Sequence, residues 1–252
     1  MDFLKIINLT KRFEGLVAVD SVNITINKGE IASIIGPNGA GKSTIFNLLT
    51  GITLPTMGDI IFEGHKINNF MPQKIVQLGI SRTFQNIRLF KNMRVIENIL
   101  VGSHINTNYN FFSALFRTKK YKSEENKNIK KAIEILEMIN LKDKISEYAS
   151  NLPYGDQRKV EIARAIATGA KLILLDEPAA GMNPQESLDL MEFIKALKFR
   201  GFTIVLIEHD MSVVMNISDN IHVIDHGKKI AEGLPKDIAN NKKVIEAYLG
   251  GE

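Results

Sequence analysis

The stretch that most constrains the fold is "IASIIGPNGAGKSTIFNLLTG", residues 31–51. An apolar run of strand length leads into a glycine-rich loop, and an amphipathic helical pattern follows. The loop fits G-x-x-x-x-G-K-[ST] with Gly36, Gly41, Lys42 and Ser43. Two more short apolar runs, "LILL" at 172–175 and "TIVLI" at 203–207, have the pattern of strands buried on both faces of a parallel sheet. Helical patterns separate them, so the chain reads as an α/β nucleotide-binding core. "VNITI" at 22–26 alternates apolar and polar residues, as a half-exposed antiparallel strand does.

The loop chemistry follows from its residues. Gly39 and Gly41 let backbone N–H groups wrap phosphates without Cβ clashes. Lys42 offsets charge on the β- and γ-phosphates, and Ser43 offers a hydroxyl to Mg²⁺. The binding residues expected here are Gly36, Pro37, Asn38, Gly39, Ala40, Gly41, Lys42, Ser43 and Thr44.

Two further strand ends carry chemistry. "KLILLDEP" closes on adjacent acids: Asp176 is placed to reach Mg²⁺ as the partner of Ser43, and Glu177 to polarise an attacking water. "TIVLIEHD" puts His209 at the end of a third buried strand, and parallel strand ends line one crevice. His222 and His226 lie four apart in a strand-and-turn segment, where helical metal spacing does not apply.

Residues 90–165 differ. They read as mostly helical, an insertion in a core formed by 1–89 and 166–252. Within them the charge run "RTKKYKSEENKNIKK" reads as a solvated loop leading into a helix. Near the end of the insertion, "NLPYGDQRKVEIARAIA" puts Pro153, Tyr154 and Gly155 where a helix begins, which makes an anion site. Val160, Ala163, Ile166 and Ala167 share the apolar face of that helix, with Lys159, Glu161 and Arg164 elsewhere. The tail "HVIDHGKKIAEG" reads as a hairpin turning near His226-Gly227, then a short helix.

Cysteine is absent, which excludes a disulfide framework, a thiolate zinc site and a cysteine nucleophile. The opening "MDFLKIINLTKRFEG" is too polar for a secretory signal, and no apolar run approaches the ~18 residues that span a bilayer. The net charge of +4 permits contact with phosphates or acidic headgroups without arguing for it.

These pieces, in this order and over essentially the whole chain, resemble the ATPase subunits of ABC transporters. The resemblance implies a P-loop NTPase core with an antiparallel β subdomain and an inserted α-helical subdomain. It implies that ATP and Mg²⁺ bind, that Phe13 stacks on adenine, and that Glu177 is the catalytic glutamate. It also implies that Gln85, in "RTFQNIRLF", ligands Mg²⁺ with Ser43 and Asp176 and senses the membrane partner, and that His209 is the switch histidine. "LPYGDQR" matches the signature motif, usually L-S-G-G-Q. Through Tyr154, Gly155 and Asp156 it is expected to contact ATP on the other subunit of a head-to-tail dimer. Pro153 departs from the signature serine, Tyr154 from a glycine, and Asn183 from the usual aspartate of the loop that crosses the dimer interface.

"RTFQNIRLFKNMRVIENILVG", "DEPAAGMNP" and the ending "IANNKKVIEAYLGGE" narrow the resemblance to the larger ATPase subunit of high-affinity branched-chain amino acid importers. That branch implies membrane-spanning permease subunits, a second ATPase subunit, and an extracytoplasmic substrate-binding protein as an indirect partner. It implies no nucleic acid, and a place at the cytoplasmic face of the cell membrane. An ATPase of a lipopolysaccharide-transport or exporter system, or a soluble ABC ATPase, is the alternative.

Overall fold

The computed structural model describes residues 2–107, 116 and 118–249. Its contacts divide the chain into two compact units: Met1–Gln85 with Leu172–Glu252, and Asn86–Lys171.

The first unit holds two sheets. One is antiparallel, in the order β2-β1-β4-β5, from β1 (Asp2–Phe13), β2 (Leu16–Asn27), β4 (Met57–Phe62) and β5 (His65–Lys66). In β2 the side chains of Val22, Ile24 and Ile26 are buried and alternate with Asn23 and Thr25, as "VNITI" predicts. Ile24 and Ile26 pair with Ile6 and Leu4 of β1, so one face of this sheet contributes to the core.

The second sheet runs β10-β9-β3-β8-β7-β6. Its strands are β3 (Ile31–Ile35), β6 (Ile80–Arg82), β7 (Leu172–Asp176), β8 (Thr203–Ile207), β9 (Asn220–Asp225) and β10 (Lys228–Gly233). Every residue of β3, β7 and β8 is buried, which explains their continuous apolar runs. The pairings from β9 through β6 are parallel. β10 returns antiparallel through a turn at His226 and Gly227, both with positive φ, which closes the expected hairpin. The helices of this unit are α1 (Lys42–Leu49), α2 (Pro72–Leu78), α6 (Pro184–Phe199), α7 (Met211–Ile217), α8 (Pro235–Ala239) and α9 (Lys242–Leu249).

The second unit contains α3 (Val95–Ser103), α4 (Lys119–Met138) and α5 (Tyr154–Ala167). α4 corrects one expectation. The charge run is not a loop before a helix; from Lys119 onward it is the helix, capped by the Thr118 hydroxyl. Only Ala132, Ile135 and Leu136 are buried along α4, so the charges cover its solvated face.

In α5, Glu161, which the helical pattern sets off the apolar face, is buried with Arg158, whose Nη1 donates to its carboxylate at 2.7 Å. The other Glu161 oxygen accepts the Arg88 N–H at 2.9 Å. Burying this pair is tolerable because each charge meets its opposite and a further donor is satisfied.

Candidate functional site

The three buried strands end level with one another. Ile34 of β3 is opposite Ile207 of β8, and Ile207 is opposite Asp176 of β7. The parallel arrangement therefore delivers the glycine loop, the Asp176-Glu177 pair and Glu208-His209 to one edge of the sheet.

The loop's shape demands its glycines where the backbone is crowded. A Cβ on Gly36 would lie 1.8 Å from the Ile224 carbonyl oxygen, and one on Gly41 would lie 2.4 Å from that of Ala18. Gly41, at φ 106°, is the N-cap of α1, whose first turn contains no acid. Lys42 is folded back inside the loop, where its Nζ donates to the carbonyls of Gly36 at 2.6 Å and Pro37 at 2.9 Å. Burial pulls its pKa below the ordinary lysine value, while the charges of Glu177 and Asp176 oppose that shift.

A cavity of about 460 Å³ opens over this loop. Phe13, residues 38–44 and Glu177 line it, with Ala18 and Gly227 among the others. Phe13 is 45% exposed, with Lys11 Nζ 4.8 Å from the centre of its ring. It is therefore a surface aromatic beside the loop and no part of the core. Gly36, Pro37 and His209 line a neighbouring cavity of about 830 Å³ that shares Asn38, Gly39 and Ala40.

Two residues singled out from the sequence converge on the carboxylate of a third. Glu177 Oε2 accepts Gln85 Nε2 at 2.7 Å and lies 3.6 Å from His209 Nδ1. Glu177 itself sits at φ 46°, a left-handed conformation that disfavours any residue with a β-carbon. Its N–H is tied to the Ile207 carbonyl at 2.9 Å, which holds this strained corner against β8.

Sequence reasoning missed the groups behind these. Arg82, at the end of β6, bridges the site: Nη2 donates to Asp176 Oδ2 at 2.6 Å and Nη1 to Asn47 Oδ1 at 2.7 Å. A basic residue ending a short buried strand was its only signal. Glu208 is buried, and its two oxygens accept the N–H groups of Ala179 at 3.0 Å and His209 at 3.2 Å. It thereby links the turn after Glu177 to the backbone of His209, and burial raises its pKa. Asn183 has a role that its side chain explains, as the N-cap of α6 in a capping box with Glu186.

His222 lies outside the site. It is fully buried in β9, and burial lowers its pKa to about 4, with Glu232 and Lys229 its charged neighbours. Among the described residues no group of three or more His, Asp or Glu could hold a metal ion.

The second unit holds the turn before α5. Pro153 is its N-cap and supplies no capping side chain, and Tyr154, Gly155 and Asp156 form the first turn. Gln157 Nε2 closes the turn onto the Leu152 carbonyl at 2.9 Å. Asp156 is bound by Lys144, with 2.7 Å between Nζ and Oδ2. The motif form L-S-G-G-Q has an uncharged glutamine at this position, so Asp156 is a further departure that the sequence reading passed over.

The sequence pattern of the ABC transporter family matches residues 19–180, which include the loop, the acid pair and the turn before α5. This chain belongs to the ABC transporter family. A second pattern, that of the branched-chain amino acid ATP-binding cassette transporter, matches residues 228–252 of this ABC protein. The high-affinity branched-chain amino acid transport ATP-binding protein BraF of Pseudomonas aeruginosa is 46% identical, over 98% of this chain and 97% of its own. Among solved structures, the ADP conformation of an ATP-binding cassette of an ABC transporter superposes with a TM-score of 0.88 at 38% identity, and all of both chains is covered. A dimeric cassette in a post-hydrolysis state bound to ADP and Pi has a TM-score of 0.74 at 27% identity, over 92% of this chain and 98% of its own. Among the described residues no helix of this ABC protein is long and apolar enough to cross a membrane.

Proposed function

We propose that this ABC protein is the ATP-binding and ATP-hydrolysing subunit of an importer of branched-chain amino acids, working at the cytoplasmic face of the cell membrane. The meeting of Gln85, Glu177 and His209 beside the phosphate loop carries the hydrolytic part of this reading. Likeness to BraF along nearly the whole chain, and the pattern matched at 228–252, support the cargo.

Phe13 stacks on the adenine, and the N–H groups of residues 38–44 with Lys42 hold the phosphates. Ser43, Gln85 and Asp176 offer oxygen donors of three kinds, which suits a hard cation that also takes phosphate oxygens. Asp176 has Oδ2 engaged by Arg82 and keeps Oδ1, so the donor set fits Mg²⁺. When bound, Mg²⁺ neutralises charge on the phosphates. Glu177 orients the attacking water and accepts its proton. His209, exposed at the end of β8, holds the γ-phosphate side of the water. The turn of Tyr154, Gly155 and Asp156 completes the site of a second ATPase subunit, and permease subunits couple the cycle to transport. A substrate-binding protein outside the membrane is an indirect partner.

Glu177→Gln tests the reading. It should bind ATP at wild-type affinity, hydrolyse it roughly 10²–10⁴-fold more slowly, and accumulate an ATP-bound dimer on gel filtration. Wild-type turnover in that variant would remove Glu177 from the chemistry.

A further inference from the structure

Asp156 poses an electrostatic problem. It is a carboxylate in the first turn of α5, the turn proposed above to meet the γ-phosphate of another subunit. Two negative groups at one helix start repel, and a first-turn acid also competes with a ligand anion for the helix's positive end.

Two cations answer it. Lys144 Nζ lies 2.7 Å from Asp156 Oδ2, and Lys159 Nζ lies 3.8 Å from Oδ1. Lys159 is one turn along the same helix. Lys144 is not: it ends a separate 3₁₀ turn, Lys142–Lys144, twelve residues upstream. That turn is pinned on both sides, by the Lys144 N–H to the Leu141 carbonyl at 3.1 Å and by the Glu147 N–H to the Lys144 carbonyl at 3.0 Å. The pair is mostly covered, at 28% and 18% side-chain exposure, so solvent screens it less than a surface pair. The hydrogen bond to Asp156 also raises the lysine's pKa. Lys142, its neighbour in the turn, pairs with Glu137 instead.

We propose that Lys144 is a positioning residue for the phosphate contact made in trans: it cancels the Asp156 charge and holds that carboxylate on the lysine, so the start of α5 stays attractive to a nucleoside triphosphate bound by a second subunit. The proposal rests on the reading of this turn as a trans phosphate site. It makes the electrostatics of the turn depend on a residue outside the motif.

The test measures ATPase turnover in the assembled transporter and ATP affinity of the isolated subunit. Lys144→Ala should lower turnover roughly tenfold, since the carboxylate then faces the phosphate with its closest cation gone and Lys159 left at 3.8 Å, and leave ATP affinity unchanged. Lys144→Arg should keep the rate. The double variant Lys144→Ala/Asp156→Asn should recover most of the loss, because it removes the charge that the lysine served to cancel. If the double variant is as slow as Lys144→Ala, the lysine is a structural tether and the proposal fails. Wild-type turnover in Lys144→Ala overturns it too. Gly155→Val separates the two ideas: it should abolish hydrolysis in the assembly and spare ATP binding by the isolated subunit. Loss of that binding, or wild-type hydrolysis, would overturn the trans reading whatever the lysine variants do.

Discussion

The starts of α1 and α5 are two solutions to one problem. Each is a helix N-terminus proposed to face phosphate. The start of α1 is self-contained: its glycines, its N–H groups and its cation all come from residues 36–44, and no acid lies in the first turn. The start of α5 carries Asp156 in its first turn, has Arg158 committed to Glu161, and takes its closest counter-charge from Lys144 in another turn. A self-contained anion site survives as a recognisable string. One assembled from separate turns is recognisable only in part, because the residue that balances its charge has no fixed place in the sequence.

Removing the local cation should give the larger effect. Lys42→Ala loses a charge-assisted contact to phosphate worth about 3 kcal/mol, so ATP affinity of the isolated subunit should fall about 100-fold. It also frees the carbonyls of Gly36 and Pro37, which the lysine holds. Titration with a fluorescent ATP analogue measures it; unchanged affinity would end the claim that α1 carries its own cation.

A smaller effect is expected at the rim. Phe13→Ala should raise the KM for ATP about fivefold and change kcat less, since stacking worth about 1 kcal/mol is uniform between ground and transition states. A fall in thermal midpoint with an unchanged KM would contradict the exposed position beside the loop.

The smallest concerns the α5 cap. Pro153→Ser restores a hydroxyl and an N–H at the turn, yet should raise hydrolysis in the assembled transporter by only two- to threefold, because one new hydrogen bond in place of water is worth about 0.5 kcal/mol. A gain of a hundredfold would mean that proline cripples the turn and that the start of α5 is a poorer site than the comparison supposes.

Legibility in the sequence followed the same divide. β3, β7 and β8 were readable because burial on both faces leaves an unbroken apolar run, and their order around the glycine loop placed Asp176, Glu177 and His209. The hairpin at His226-Gly227 was readable from turn chemistry. Arg82 and Glu208 were not, because a charged residue at a strand end looks the same whether it meets solvent or a partner brought from another strand. The burial of Glu161 was not readable for a related reason: periodicity sets it off the apolar face of α5 and shows neither Arg158 nor the Arg88 N–H that meet it there. The 117–131 run reads as a loop leading into a helix, later than the helix starts, because charge density hides helix propensity when few positions need burial.

By itself the sequence determined the strand–loop–helix that wraps phosphate, the three buried strands, and the identity of the groups at their ends. These are short-range matters, set by residues within a few positions of one another through sterics and hydrophobic periodicity. The tertiary structure alone decided that Gln85, Glu177 and His209 share one carboxylate oxygen's surroundings, that Arg82 ties Asp176 to Asn47, and that Lys144 answers Asp156. Each of those contacts joins residues from different elements, and its energy depends on distance and burial that no linear spacing encodes.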